Sequence, residues 1–151
     1  FDMQLHYHNR SRLAPDLEQG AAYHASVESL LEKSDFLVLA APSNPQTRGI
    51  LNAERIARLP RGAIVVNIAR GDLVDDAALI DGLASGHVGA AGLDVFNNEP
   101  DIHPGYLSLP NVFLQPHQGS STIGTRVRMG HMLLDTIEIC CAGGDAANRL
   151  V

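Results

Sequence analysis

The sequence predicts an α/β fold built on a doubly wound parallel sheet. Short apolar runs alternate with capped helical segments, the pattern of strands joined by helical crossovers. The runs Asp35 to Ala41 and Ala63 to Ala69 are nearly continuous in apolar residues, which suits strands buried between helix layers. The polar motifs Ile68-Ala69-Arg70-Gly71, Asn98-Glu99-Pro100 and Pro116-His117-Gln118-Gly119-Ser120 each fall beyond such a run. That is the carboxyl end of a strand, where sheets of this kind bind ligands.

Met3 to His8 reads as a short strand, followed by a polar, charged loop over Asn9, Arg10, Ser11 and Arg12. Ser26 is a helix N-cap for Val27 to Glu32, with Glu28 and Glu32 in reach of Lys33. The next strand, Asp35 to Ala41, ends at Pro42. Asn52 caps a short helix through Leu59, and Pro60-Arg61-Gly62 breaks it. The strand Ala63 to Ala69 ends in Arg70-Gly71-Asp72, and Asp75 and Asp76 open a helix that Ser85-Gly86 stops. Val88 to Val95 is a glycine- and alanine-rich strand, Phe96 to Leu109 a long loop, and Asn111 to Gln115 the last strand. A long helix is expected from Ser120 or Ser121 to about Ala142, with Val127, Leu134 and Ile137 apolar. No internal repeat, low-complexity tract or linker interrupts the pattern.

A chain of 151 residues fits one domain. A formal charge of -6 argues against a nucleic-acid partner, which would usually meet a basic face. No apolar run approaches the roughly 20 residues that span a bilayer. No basic region followed by an apolar stretch marks the beginning as a secretory signal, so the cytoplasm is expected. The two cysteines, Cys140 and Cys141, are adjacent and read as small apolar helix residues rather than as a disulfide or a zinc site.

The three motifs offer one permanent cation, one carboxylate and one imidazole. The guanidinium of Arg70 at a strand end presents a planar fork that matches a carboxylate, and Gly71 lets the chain turn there. The imidazole of His117 can donate a proton to a carbonyl oxygen as hydride reaches its carbon. Glu99 supplies the carboxylate that orients an imidazole and raises its pKa. His6 and His8 share one face of a strand with His24 in reach, but no carboxylate or cysteine lies at ligand spacing, so no metal is expected.

In this order the motifs resemble the cofactor-binding domain of the D-isomer-specific 2-hydroxyacid dehydrogenases. The matching stretches are Asn67 to Asp75, Gly92-Leu93-Asp94-Val95-Phe96 through Glu99-Pro100, Pro116-His117 through Ser121, and Pro42 through Thr47-Arg48-Gly49-Ile50. The resemblance covers the whole chain and implies a Rossmann-like domain over residues 1–151. It gives Arg70 the substrate carboxylate, His117 the acid/base role and Glu99 the part of its partner. Asp94 would contact the nicotinamide carboxamide. Ala41, Pro42, Thr47, Ile68, Ala69, Arg70, His117 and Gly119 would line the cofactor. Gln118 departs from the pattern, since a hydrophobic residue is more usual after the histidine; it would tune the site rather than abolish it.

The family's glycine-rich turn and first strand do not occur here, and neither does the substrate domain. The incomplete sheet would therefore carry a gap between the runs Met3–His8 and Asp35–Ala41, with backbone donors and apolar faces exposed on both sides. The chain reads as the C-terminal part of a protein about twice its length, and alone is expected to fold poorly and turn nothing over. The first strand seen, ending in Asn9-Arg10-Ser11-Arg12 with no acid before Asp16, resembles the strand that contacts the adenosine ribose. Two arginines and a hydroxyl suit a 2′-phosphate, so NADP(H) is expected, with NAD the alternative. The activity implied is reduction of a small 2-oxo acid such as glyoxylate or hydroxypyruvate by a homodimer. An NAD-linked 3-phosphoglycerate-type dehydrogenase, a dinucleotide-sensing corepressor and an inactive truncated product are the competing readings.

Overall fold

The computed structural model describes residues 1–146, and the chain forms two compact units, Phe1–Pro116 and His117–Val151. In chain order the first unit runs β1 (His6–Tyr7), α1 (Pro15–Glu18), β2 (Ala22–Tyr23), α2 (Val27–Leu31), β3 (Phe36–Leu39), α3 (Ala53–Ile56), β4 (Ala63–Asn67), α4 (Asp76–Ala84), β5 (Val88–Leu93) and β6 (Val112–Leu114). Short 3-10 turns occupy Gly71–Leu73 and Pro104–Ser108. Every strand pairing is parallel, as α/β crossovers require. The second unit contains α5 (Ile123–Cys141).

Caps set the helix starts. The Ser26 hydroxyl accepts from Ser29 N, the Asn52 side chain from Arg55 N, and the Asp75 carboxylate from Ala78 N. The expected start of the long helix at Ser120 or Ser121 is corrected to Ile123, because the Thr122 hydroxyl takes the capping bond from Thr125 N. Cys140 and Cys141 close that helix as free, exposed thiols.

Within the first unit the order β3-β4-β5-β6 makes a four-stranded sheet. Leu37, Val65, Ala91 and Leu93 turn to one face, where Leu31, Ile56, Leu79 and Leu83 from the helices meet them in a single buried cluster. The other face departs from the expectation of strands buried on both sides. Phe36 and Val38 are 53% and 54% exposed and Phe113 is 64% exposed, because α2, α3 and α4 all contribute to the same cluster. The chain's apolar runs are those of a two-faced sheet, and this unit's helices cover one face.

β1 and β2 form a separate parallel pair, joined by Ala22 N to Leu5 O and His24 N to Tyr7 O, both 2.8 Å. The β2 strand was not expected: two residues are too short to show an alternation. Between β1 and β3 lies a cleft of about 610 Å³ lined by Met3, Leu5, His6, Leu30, Phe36 and Val38. This is the gap that the sequence implied between its first two apolar runs. The expected pairing of Glu28 and Glu32 with Lys33 also fails. Glu28 meets Arg55 at 2.8 Å and Glu32 meets Arg58 at 3.2 Å, so these carboxylates tie α2 to α3 and its C-terminal end. Lys33 stands one and five residues from them, spacings that do not face each other on a helix.

Leu79 is fully buried at the centre of the cluster. Leu79→Ala is expected to lower stability by about 2–5 kcal/mol, read as a shift in the urea midpoint. A loss below about 1 kcal/mol would mean that the helices do not press on the sheet as a close-packed layer.

Candidate active site

The site is built on the strand ends, and a buried amide organises it. Asn67, the last residue of β4, is 1% exposed. Its Oδ1 accepts from Ala69 N at 3.0 Å and its Nδ2 donates to the Arg70 carbonyl at 2.9 Å. The chain leaving β4 thus folds back around one carboxamide, which fixes the backbone of the residue carrying the guanidinium. The neighbouring strand exits are bonded to the same level: Asp94 N donates to Asn67 O at 3.0 Å, and Gln115 N to Leu93 O at 2.8 Å.

Arg70 is exposed, and its Nη1 donates to the Ala69 carbonyl at 2.6 Å. It borders a cleft of about 440 Å³ whose other walls are Ala40, Ala41, Pro42, Ser43 and Ala69. The small side chains let a ligand approach the backbone at the ends of β3 and β4. A second cleft of about 480 Å³ brings Asn9 together with Ala41 and Pro42, and its walls include His6 and His8. Five expected positions, Asn9, Ala41, Pro42, Ala69 and Arg70, therefore line these two clefts, which share Ala40, Ala41 and Pro42. Ile68, also expected on the cofactor, is exposed beside them.

The loop after β3 is tied to the turn after Arg70. Ser43 Oγ donates to Asp72 Oδ2 at 2.6 Å, and Arg48 Nε reaches the same oxygen at 3.1 Å. Thr47 is used within that loop: its hydroxyl donates to Pro42 O at 2.7 Å and accepts from Asn44 N. Gly71 is the right residue for a different reason from the expected one. It does not adopt a positive φ; instead a Cβ there would lie 2.0 Å from the Phe96 carbonyl carbon and 2.3 Å from Asn97 N. The glycine allows the backbone of the Arg70 turn to lie directly against the backbone that leads to Glu99.

Asp94 is half-buried just past β5, and Glu99 is exposed in the turn that follows, its Oε1 accepting from Phe96 N at 2.9 Å. His117 opens the second unit, exposed and at φ +50°, with Gly119 exposed two residues later. A non-glycine residue in the left-handed region is uncommon, although histidine tolerates it better than most, and such strain concentrates at functional positions.

The basic loop is only half as described from sequence. Arg10 is exposed and enters no ion pair among the described residues. Arg12 instead grips Glu18 with two bonds of 2.7 and 3.0 Å, and Tyr7 donates to the same carboxylate at 2.6 Å. These bonds, Arg12 first and Tyr7 second, hold the Glu18 carboxyl down to about 2. A sequence separation of six residues across α1 hid this partner. The three histidines do meet: His6 Nδ1 lies 2.9 Å from His24 Nε2, and His8 Nδ1 lies 2.8 Å from the His24 carbonyl. Among the described residues no cluster of three metal-ligating groups forms. No helix among them is long and apolar enough to cross a membrane.

Residues 1–119 match the family described as D-isomer specific 2-hydroxyacid dehydrogenase, NAD binding domain. The chain is 44% identical to a glycerate dehydrogenase of Hyphomicrobium methylovorum over 99% of its own length and 47% of that protein's. It is 42% identical to a glyoxylate reductase of Thermococcus kodakarensis, over 100% and 45% respectively. A solved NADPH-dependent glyoxylate/hydroxypyruvate reductase of Sinorhizobium meliloti, in complex with NADP and malonate, superposes with a TM-score of 0.93 at 32% identity. That likeness covers 99% of this chain and 46% of that one. The chain thus spans about half the length of the relatives it matches.

Replacing Asn67 by Leu leaves the buried Ala69 N–H without its acceptor and takes from the Arg70 carbonyl one of its two donors, the other being Leu73 N at 3.3 Å, and should cost about 1–3 kcal/mol in urea denaturation. An unchanged midpoint would show that the turn holds itself. The Glu18 cluster has its own signature. A carboxyl lowered by its partners contributes stability that is complete above its ordinary value of 4.5 and disappears as the pH falls toward 2. Glu18→Gln should remove that part of the acid unfolding curve.

Proposed function

The chain belongs to the D-isomer specific 2-hydroxyacid dehydrogenase family, and on that premise we propose that the protein carrying it is an NADP(H)-linked reductase of a small 2-oxo acid. Glyoxylate and hydroxypyruvate are the proposed substrates and the D-2-hydroxy acid the product. The observation that carries this reading is the cleft at the ends of β3 and β4, with an exposed guanidinium on a turn that a buried amide fixes. A substrate carboxylate would take two parallel hydrogen bonds from Arg70. The nicotinamide cofactor, when bound, supplies the hydride that reaches the carbonyl carbon. His117 in its protonated form gives its ring proton to the carbonyl oxygen, which becomes the product hydroxyl, and Glu99 is the carboxylate proposed as its partner. Asp94 serves the carboxamide end of the cofactor, and the backbone of Ile68 and Ala69 with Ala41 and Pro42 forms its bed.

The preference for NADP(H) rests on Arg10, Asn9 and Ser11 more than on Arg12, whose charge Glu18 already offsets. Glu18 in turn is occupied by Arg12 and Tyr7, so it is poorly placed to serve ribose hydroxyls as the acid of an NAD site would. The likeness to a reductase named NADPH-dependent supports the same choice. A homodimer in the cytoplasm completes the reading.

The test is oxidation of NADPH and NADH by the intact protein with glyoxylate and hydroxypyruvate. NADPH should be preferred, and Arg10→Ala should raise its KM about tenfold or more while Arg12→Ala has a smaller effect, since each charge-assisted contact is worth up to about 1.5–3 kcal/mol. His117→Ala should lower kcat by roughly 10²–10⁴. Turnover with NADH alone would sink the cofactor choice. A folded protein inert with both, or one whose partner binding survives His117→Ala, would favour the corepressor reading.

A further inference from the structure

The loop between β5 and β6 is anchored by a carboxylate to which the proposed chemistry gives no part. Asp76, at the first turn of α4, has both side-chain oxygens engaged. Asn97 Nδ2 donates to its Oδ2 at 2.9 Å and to the Val74 carbonyl at 3.2 Å, and the Tyr106 hydroxyl donates to its Oδ1 at 2.8 Å. Tyr106 is 2% exposed, with Phe96 and His103 packed edge-on against its ring. The two residues that Asp76 recruits stand on either side of Glu99 in sequence, so one carboxylate holds both ends of the segment that carries it. A helix N-terminus suits this charge, which lowers the cost of keeping it half-buried.

The same segment is gripped from its other side. The Phe96–Asn97 peptide lies against Gly71, at a distance that excludes any Cβ, and Glu99 Oε1 closes the turn on Phe96 N. Phe96 and Asn97 are therefore held between the turn that follows Arg70 and the carboxylate of Asp76. We propose that Asp76 is a positioning residue, which acts through Asn97 and Tyr106 to set Glu99 relative to Arg70. This rests on the role given to Glu99 above. Burial and the Asp76 hydrogen bond push the Tyr106 hydroxyl well above its ordinary value, so it remains a donor over the whole working range.

Asp76→Asn keeps the shape but turns an amide N–H₂ toward one of the two donors, which loosens the segment without emptying the site. In the intact protein kcat for 2-oxo acid reduction should fall roughly ten- to hundredfold, with the KM for the nicotinamide cofactor nearly unchanged. The split between kcat and KM and the double variant are the decisive readouts. In a Glu99→Gln background, Asp76→Asn should add little to the loss of kcat, because there is then no carboxylate to misplace. If Asp76→Asn does not fold, Tyr106→Phe, which removes one bond from the same carboxylate, is measured in the same way. A variant that melts earlier but keeps the parent kcat would overturn the proposal and leave Asp76 a purely structural residue. A Glu99→Gln protein with the parent kcat would overturn the role of Glu99 itself, and the proposal with it.

Discussion

The buried carboxamide of Asn67 is the interaction on which the candidate site depends. A polar side chain in a sheet core is tolerated when its donor and acceptor are both used, and here both are used on the next three residues of its own chain. β4 ends where it does because its last side chain captures the backbone that follows. The parallel neighbours then inherit the same level, since Asp94 N bonds to the Asn67 carbonyl. Arg70 and Asp94 consequently leave the sheet from one shared rim, although they stand on different strands.

Much of this was legible in the sequence for physical reasons. Ser26, Asn52 and Asp75 were readable as caps because a cap is a local event, settled within three residues. The central strands were readable from their apolar runs, whereas the gap between β1 and β3 followed from the family resemblance, which places a missing strand there. What escaped was decided by distant partners. Glu18 captures Arg12 across a turn, Arg55 and Arg58 draw Glu28 and Glu32 away from Lys33, and Asp76 collects Asn97 and Tyr106 from 21 and 30 residues away. Asn67 had a visible signal, an amide inside an otherwise apolar run, but its meaning lay in the turn it closes. Gly71 was singled out for conformational freedom, whereas its constraint is lack of space.

The division of labour at the basic loop follows from simple electrostatics. Two arginines separated by one serine would repel each other and any cation nearby. Pairing one of them with Glu18 offsets the charge of Arg12 and leaves Arg10 without an ion pair among the described residues, and Tyr7 and the Tyr23 ring, 5.7 Å from the Arg12 guanidinium, hold the paired one in place.

The close approach at Gly71 has a mechanical consequence. With no side chain between them, the strand exit bearing the guanidinium and the segment bearing the carboxylate have no compressible layer to absorb displacement, and close-packed contacts transmit strain. The joint therefore couples the two backbones directly: any enlargement of residue 71 would have to move the Phe96–Asn97 peptide, and with it the turn that Glu99 closes.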